Sequence, residues 1–453
     1  MRKLKKKLKR YLNEIGSEND EARANIRKIL NFYWLLHYKF NTFYLKTDPK
    51  TVIFASFEGR SYSDSPRALF EYMVKSQEFN DYTLVFAFRT KVKTYRKQIN
   101  KFVDEIYPGF EDDREHRPGP EIHVVKYHGK AWRQYLKKSK YWVFNFKIDD
   151  YLKPTKNQIF LQTWHGTPLK RLGFDLEHFD SATNTLEGIK KRYEKEIKKF
   201  DIFLTPSPFA TEKFISAYRM NDFGRTDIIL ETGYPRNDIL TNYTAQDVVN
   251  IKNRIFGYFY LPYEKLTKKK TIILYAPTYR PNEYELGKGR IFKSSIDWDR
   301  IQKEFGDDCI ILFRAHYFVA NLFNFDKYQG FIYNVSDLDD INELYLISDL
   351  MITDYSSSMF DYSILKRPMI FYMYDYDHYK NESNGFYFEP EEVLPGPIVK
   401  TEDDLIEAIK DSIDHFEYTD KYKEFNDYFD PYDDGHVCER VVNEVFKGGS
   451  FKK

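Results

Sequence analysis

Cysteine is scarce in this sequence of 453 residues, which contains only Cys309 and Cys438. Two thiols are too few for a disulfide framework or for an all-thiolate zinc site, so we expect a reducing compartment. A surplus of one charge is also lacking, because 70 Lys and Arg face 69 Asp and Glu and leave a formal net charge of +1. This balance excludes a global field for capturing nucleic acid, and any electrostatic partner must meet a local patch.

Long apolar runs are absent as well. No stretch approaches the ~20 apolar residues of a membrane-spanning helix, and the N-terminus lacks the apolar core of a signal peptide. The sequence has no GxGxxG fingerprint, Walker A loop or HExxH motif, which argues against hydride transfer, nucleoside triphosphate hydrolysis and zinc proteolysis. We therefore predict a protein that does not cross the membrane and has no tightly bound cofactor, and no residues of the sequence are assigned to a metal site.

Hydrophobic residues make up 42% of the chain and charged residues 31%, which is typical of an ordinary globular protein. The length predicts about three domains, or two large ones. Residues 1–48 differ from the rest, because seven of the first ten residues are basic. Apolar side chains recur there at helical spacing: Leu4, Leu8, Leu12 and Ile15.

Aromatic and basic residues continue to mix from Ile26 to Leu45. This mixture suits the headgroup region of a bilayer, where rings are buried and amines meet lipid phosphates. The alternative is a solvated basic tail followed by a helix that packs on the domain.

Short apolar runs separated by helix-compatible stretches predict parallel strands covered on both faces. A first series contains Thr51–Ala55, Tyr82–Ala87, Ile122–Val125, Tyr141–Phe144, Gln158–Gln162, Ile202–Leu204 and Ile228–Leu230. A second series contains Thr271–Tyr275, Cys309–Phe313, Gly330–Tyr333, Asp349–Thr353 and Pro368–Tyr372. We therefore predict two doubly wound α/β domains, 49–240 and 241–453, that bind ligands beyond the carboxyl ends of their strands.

The first candidate site follows the strand that ends at Thr163, where Trp164-His165-Gly166-Thr167-Pro168 form a turn. A histidine at this place is rigid and accessible, as a general base must be. The alternative is a turn histidine that only caps backbone groups.

The second candidate site follows the strand that ends at Phe313. Arg314 and His316 stand two residues apart on an extended chain, so both side chains point the same way and could meet phosphate oxygens. The alternative for Arg314 is a structural ion pair. Thr278 and Arg280, just past another strand, could add a hydroxyl and a cation to the same site.

The third candidate site is Asp354-Tyr355-Ser356-Ser357-Ser358, where a strand ends in hydroxyls that open a predicted helix, 360–366. Serine hydroxyls and backbone N–H groups at a helix start form an anion site, although a simple serine cap is the alternative. Together the three sites predict binding of a nucleotide that carries a diphosphate, and transfer of a group from it.

Several ordered segments resemble the CDP-glycerol glycerophosphotransferase family, the teichoic acid enzymes of Gram-positive bacteria. They are QTWHGTPLKRLG, TGYPRND, YAPTYR, FRAHY, VSDLDDINELYLISDLMITDYSSSMFDY, KRPMIFYMYDYDHY and LPGPIV. The resemblance covers roughly residues 50–430 and implies a GT-B fold of two Rossmann-like domains facing across a cleft. The sequence departs from the family pattern at Ser358 and Asn384.

The resemblance implies transfer of glycerol phosphate from CDP-glycerol to the hydroxyl end of a lipid-linked teichoic acid, with release of CMP. It implies that His165 is the catalytic base and that His316 acts beside the donor pyrophosphate. The implied donor-binding residues are Arg314, Ser356, Ser357, Asp354, Thr278 and Arg280. The implied acceptor-side residues are Trp164, Gly166, Thr167 and Lys170.

Such an enzyme is expected at the cytoplasmic face of the membrane, as a peripheral protein on anionic lipid, and it could form a homo-oligomer. Three other functions compete with this one. A ribitol phosphate transferase or polymerase using CDP-ribitol would keep every motif. A nucleotide-sugar glycosyltransferase could share the fold, and a catalytically idle membrane scaffold could share the basic N-terminus.

Overall fold

The computed structural model describes residues 20–113, 115–177, 185–259, 270–278, 284–285, 289–290, 295–315, 323–376, 379 and 385–448. For 20–27, 284–285 and 289–290 it describes the backbone alone. The predicted site residues His316 and Arg280, the departure at Asn384 and the basic helix at the start of the chain lie outside the described residues.

The strands follow the predicted apolar runs. They are β1 Asp48–Ala55, β2 Thr83–Phe88, β3 Glu121–Lys126, β4 Ser139–Phe144, β5 Ile159–Gln162, β6 Ile202–Thr205, β7 Ile229–Glu231, β8 Thr271–Ala276, β9 Tyr284–Glu285, β10 Gly289–Arg290, β11 Cys309–Phe313, β12 Ile332–Asn334, β13 Leu350–Thr353, β14 Met369–Tyr372 and β15 Ile398–Val399. Every run of the two predicted series therefore overlaps a strand. The short strands β9, β10 and β15 were not predicted.

Helices fill most of the stretches between the strands. They are α1 Asp20–Thr42, α2 Asp64–Lys75, α3 Val92–Ile106, α4 Lys130–Lys138, α5 Leu186–Ile197, α6 Pro208–Tyr218, α7 Asp238–Asn242, α8 Ala245–Tyr258, α9 Trp298–Phe305, α10 Ile341–Ile347, α11 Ser358–Ser363, α12 Pro390–Val393, α13 Glu402–Asp414, α14 Asp420–Phe429 and α15 Val437–Phe446. The helix predicted at 360–366 was wrong in its bounds, because α11 begins and ends earlier.

Two sheets carry the fold. Their strand orders are β3-β2-β1-β4-β5-β6-β7 and β12-β11-β8-β13-β14-β15. The pairings of β1 with β2 and β4 are parallel, as are those of β8 with β11 and β13. The prediction of an α/β fold with Rossmann-like parallel sheets is confirmed.

The second sheet is covered on both faces. Alternate residues of β8 enter different apolar clusters, Ile272 and Leu274 on one side and Ile273 and Tyr275 on the other. Successive side chains of a strand point to opposite faces, so each face of this sheet packs against its own helices. This double burial explains why the strand reads as a continuous apolar run.

The chain divides into two compact units. The first unit comprises the described residues up to Arg60 together with Met73–Leu161, and the second comprises Ser61–Tyr72 together with the described residues from Gln162 onward. The strands of the first sheet end at Glu231 and those of the second sheet begin at Thr271. The domain boundary near residue 240 stays a prediction.

Helix α1 exposes an apolar face. Its exposed side chains, with Phe43 just beyond its end, are Ile29, Leu30, Phe32, Tyr33, Trp34, Leu36, Phe40 and Phe43. Lys28, Lys39 and Lys46 are exposed beside them. A search of the described residues finds no helix whose length and hydropathy would let it cross a membrane.

Candidate active site

Three predicted site residues follow neighbouring strand ends of the second sheet. Parallel β11, β8 and β13 lie side by side, with Phe313 opposite Tyr275 and Thr353 opposite Ala276. The strands therefore end almost level at one edge of the sheet. Arg314, Thr278 and Asp354 come within two residues of these ends, which is where ligands of such sheets bind.

Asp354 ties two of these loops together. The side chain is 2% exposed, and its Oδ1 accepts hydrogen bonds from the backbone N–H groups of Thr278 at 2.8 Å and Tyr355 at 2.6 Å. A buried carboxylate with two N–H donors is well satisfied. These contacts favour a positioning role for Asp354, which holds Thr278 at the edge of the sheet.

Arg314 is also engaged by the protein. Its Nη1 donates to the carbonyl oxygens of Val335 at 3.2 Å and Leu338 at 2.7 Å. Burial lowers the pKa of the guanidinium, but arginine stays charged in proteins. Backbone carbonyls therefore hold Arg314 in place, and donor binding by this residue stays a prediction.

The tryptophan-histidine turn leaves the first sheet at the end of β5. Trp164 adopts a left-handed backbone conformation with φ +54°, and its backbone N–H donates to the side-chain Oε1 of Gln162 at 3.0 Å. The indole packs edge-on against Phe214, with ring centroids 5.2 Å apart. Such a conformation costs free energy in a bulky residue, so the surrounding contacts must hold the turn in place.

His165 lies on the face of this fixed indole. The two rings are stacked, with centroids 4.6 Å apart and an interplanar angle of 22°. The His165 side chain is nevertheless exposed. An oriented and accessible imidazole is what a general base needs.

Gly166 brings this turn against the start of α11. A Cβ atom built at Gly166 would lie 2.9 Å from the Oγ of Ser357, closer than real Cβ contacts allow. The absence of a side chain at 166 therefore lets the His165 turn and Ser357 meet. The next residue, Thr167, is buried, and its Oγ1 has no hydrogen-bond partner within the described parts of the chain.

The three serines at the start of α11 make different contacts. Ser357 precedes α11, but its side chain makes no capping hydrogen bond. Ser356 Oγ instead accepts from the N–H of Ser358 at 3.3 Å and from its hydroxyl at 2.9 Å. Ser356 thus satisfies the first turn of the helix, and Ser357 is the serine that faces the Gly166 turn.

Lys170 lies over an aromatic stack. Its Nζ is 5.0 Å from the ring centroid of Tyr379, and that ring stacks on Tyr355 at 3.8 Å. Backbone hydrogen bonds join this stretch to the segment 385–387, from Tyr387 N to Leu169 O at 3.0 Å and from Arg171 N to Gly385 O at 3.1 Å. Lys170 thus reaches the residue before the serines, Tyr355, through the ring of Tyr379.

Sequence reasoning missed a buried ion pair below α11. Arg236 Nη2 donates to both carboxylate oxygens of Asp361, at 2.8 and 3.0 Å, and Asn237 Nδ2 donates to Asp361 Oδ1 at 3.0 Å. Asn342 Nδ2 donates to the carbonyl of Arg236 at 2.5 Å. These bonds fix the helix whose start carries Ser357. The TGYPRND segment, which contains Arg236, was the only indication in the sequence of this ion pair, and the segment does not indicate that Asp361 is the partner.

Acidic side chains surround this pair. Burial raises the pKa of Asp433 to about 8, and its Oδ1 accepts from the N–H of Tyr234 at 3.3 Å. Burial also raises the pKa of Asp430, whose Oδ2 accepts from the hydroxyl of Ser363 at 3.0 Å. No group of three or more His, Cys, Asp or Glu side chains able to hold a metal ion occurs within the described ranges.

Known proteins match nearly the whole chain. It is 35% identical over 448 residues to a teichoic acid poly(glycerol phosphate) polymerase of Staphylococcus epidermidis, covering 96% of this chain and 57% of that one. It is 36% identical over 402 residues to the Bacillus subtilis protein of the same name, and this match covers 88% of this chain and 49% of that one. The chain thus spans about half the length of these two relatives. A teichoic acid ribitol-phosphate polymerase of Staphylococcus aureus is 26% identical to this chain, and the match covers 94% of this chain and 73% of that protein.

Solved structures agree with these matches. A structure of the wall teichoic acid polymerase TagF superposes with a TM-score of 0.76 at 32% identity, covering 94% of this chain and 97% of the other. The family model described as CDP-glycerol:poly(glycerophosphate) glycerophosphotransferase matches residues 36–447. The site residues lie inside that range, and the chain belongs to the CDP-glycerol:poly(glycerophosphate) glycerophosphotransferase family.

Proposed function

We propose that the protein transfers glycerol phosphate from CDP-glycerol to the hydroxyl end of a lipid-linked teichoic acid or related poly(alditol phosphate), releasing CMP. One observation carries this proposal. His165 is exposed, stacked on a fixed indole, and its turn touches Ser357 at Gly166. In a member of this family, that arrangement supports a base next to a binding site for donor phosphates.

The proposed chemistry is a displacement at phosphorus. His165 takes the proton of the acceptor hydroxyl as the oxygen attacks the phosphorus that bears glycerol. The bond from that phosphorus to the oxygen of CMP breaks, and CMP leaves with the bond electrons. The hydroxyls of Ser356 and Ser357 are proposed to stabilise charge on the phosphates, and His316 and Arg314 are proposed to act with them.

The edge of the second sheet is proposed to hold the donor. Asp354 fixes the Thr278 loop, and Arg280 continues the same loop in sequence. Trp164, Gly166, Thr167 and Lys170 are proposed to face the acceptor. The buried Oγ1 of Thr167 supports such a contact, because a buried hydroxyl without a partner is costly unless a ligand or water meets it.

Glycerol is preferred to ribitol because the relatives named for poly(glycerol phosphate) match at higher identity over most of the chain. CDP-ribitol remains the alternative donor, since a relative named for ribitol phosphate matches over a similar span. A GT-B cleft, the domain boundary near 240 and self-association stay predictions.

Membrane association at the cytoplasmic face is proposed for α1. Phe40 and Phe43 are 76% and 77% exposed, and Lys39 and Lys46 are exposed next to them. Exposed rings beside amines fit an anionic lipid interface. The acceptor would then be reached from a peripheral position.

The test of the proposed function is a donor panel. CMP release would be measured with CDP-glycerol and CDP-ribitol, and UDP release with a UDP-sugar, each with a lipid-linked glycerol phosphate acceptor. Release from CDP-glycerol alone is expected. Release from CDP-ribitol alone would reassign the donor, and release from the UDP-sugar alone would reassign the reaction. No release from any donor would leave the scaffold function as the better account.

A further inference from the structure

A second polar cluster lies in the first unit, at the carboxyl edge of its strands. Its members are Glu58, Arg60, Arg89, Tyr127, His128 and Asp149, and we call it the first-unit edge. These residues follow β1, β2, β3 and β4. Since ligands of parallel sheets bind beyond the carboxyl ends of strands, the placement alone makes this edge a candidate site.

The members of the first-unit edge touch one another in a continuous line. Glu58 Oε2 pairs with Arg60 Nη2 at 3.1 Å and with Arg89 Nη2 at 3.0 Å. The Arg89 guanidinium lies 5.7 Å from the ring centroid of Tyr127. Two arginines thus share one carboxylate, so this end of the line carries a local positive charge.

The line continues through aromatic contacts to a histidine and carboxylate pair. The rings of Tyr127 and His128 have centroids 4.3 Å apart, and His128 Nε2 lies 2.7 Å from Asp149 Oδ2. Arg133 Nη1 donates to the carbonyl of His128 at 2.6 Å. Both ring and backbone of His128 are therefore held in place.

Backbone strain gathers at the same edge. Phe57, Glu58, Lys91 and His128 have φ values of 47°, 58°, 48° and 61°, which non-glycine residues adopt only at a cost. Gly59 allows the β1 loop to approach the end of β2, because a Cβ there would lie 2.9 Å from Arg89 N. The loops therefore hold Glu58 and His128 in conformations that these residues do not favour by themselves.

We propose that the first-unit edge binds phosphodiester groups of the acceptor polymer, with Arg60 and Arg89 as the phosphate ligands and Glu58 as the internal anion that a phosphate displaces. Arginine forks match the geometry of phosphate oxygens. The acceptor is the phosphate source to which we commit, because the proposed function assigns the donor diphosphate to the second sheet. The inference rests on that proposed function for the identity of the ligand.

The test measures binding without turnover. Titration calorimetry would use a soluble tri(glycerol phosphate) probe at low salt, with the wild type, the double variant Arg60→Gln/Arg89→Gln, and Lys101→Gln as the control. Lys101 is an exposed cation of the same unit, on α3, whose Nζ is 3.8 Å from Glu105. The double variant is expected to bind at least about fivefold more weakly, as for the loss of two exposed charge contacts, while the control binds like the wild type.

A further variant, Glu58→Gln, separates binding from folding. It keeps the size of the side chain and removes the competing anion, so probe binding is expected to strengthen. Equal weakening in Glu58→Gln and in the double variant would overturn the proposal, because loop damage would then explain both. Unchanged probe binding in the double variant would also overturn it.

Kinetics distinguish this proposal from the proposed function. The double variant is expected to raise the KM for the acceptor and to leave the KM for CDP-glycerol unchanged. A raised KM for the donor alone would overturn the assignment to the acceptor. If the wild type binds the probe through these arginines but releases no CMP from CDP-glycerol, the proposed function fails while the phosphodiester site stands.

Discussion

Replacing Asp361 by Asn tests the buried pair that fixes α11. The substitution keeps the shape of the side chain and removes its charge, so Arg236 loses the carboxylate that accepts its bonds at 2.8 and 3.0 Å. Both side chains are largely out of water, with 5% of Arg236 and 9% of Asp361 exposed. The variant therefore leaves a buried cation without its main partner.

The size of the effect follows from that burial. Breaking a buried ion pair by removing one partner costs about 3–5 kcal/mol of the free energy of unfolding. Asp64 remains near the guanidinium, with its Oδ2 3.5 Å from Arg236 Nη1, so we expect the lower end, about 3 kcal/mol. For a cooperative region of 150–250 residues this corresponds to a fall in Tm of roughly 6–12 °C.

The assay is differential scanning calorimetry with Asp222→Asn as the matched control. Asp222 pairs with Arg219 at 3.1 Å, but these side chains are 57% and 56% exposed, so the control should lose less than about 1 kcal/mol. A change in Tm no larger than that of the control would refute the reasoning. The KM for the donor should also rise in Asp361→Asn, because Ser357 immediately precedes α11.

Three further predictions concern other parts of the chain. Gly166→Ala is expected to displace Ser357, since the new Cβ would come within 2.9 Å of its Oγ, and to lower the rate of CMP release about tenfold or more; unchanged release would refute the contact. Burial raises the pKa of Asp433 to about 8, above the ~3.9 of an unfolded aspartate. The preference of the folded protein for the protonated carboxyl therefore adds to the free energy of unfolding below pH ~4, and this contribution is lost as the pH rises through about 8. Asp433→Asn should therefore flatten the dependence of Tm on pH in that window, and an unchanged profile would contradict the assignment. Phe40→Ser/Phe43→Ser should reduce co-sedimentation with anionic vesicles without lowering Tm, because both rings are exposed, and binding equal to that of the wild type would exclude α1 as the anchor.

The sheets could be predicted because their strands are buried on both faces. Runs such as Cys309–Phe313 are apolar without interruption, and the helical stretches between them fix a parallel order. Strand β15 escaped prediction because it has only two residues, Ile398–Val399. The start of α11 was misplaced because consecutive serines offer several equivalent helix starts.

The candidate site was predictable only in part, since its supports are distant in sequence. Arg236 and Asp361 are 125 residues apart, and neither of the segments that contain them indicates that the two side chains pair. Arg314 was assigned to phosphate from its position, whereas the structure shows its Nη1 on backbone carbonyls. At the first-unit edge, Glu58, Arg89 and His128 each read as ordinary loop residues until the strand order brings them together.

The central claim is that His165 is the general base of glycerol phosphate transfer. The most direct measurement is the rate of CMP release from CDP-glycerol by His165→Ala, with His415→Ala as the control, since His415 is an exposed histidine next to α13. The account predicts a loss of at least ~100-fold for His165→Ala, the scale of removing a general base, with the control at the wild-type rate. A near-wild-type rate in His165→Ala would contradict it.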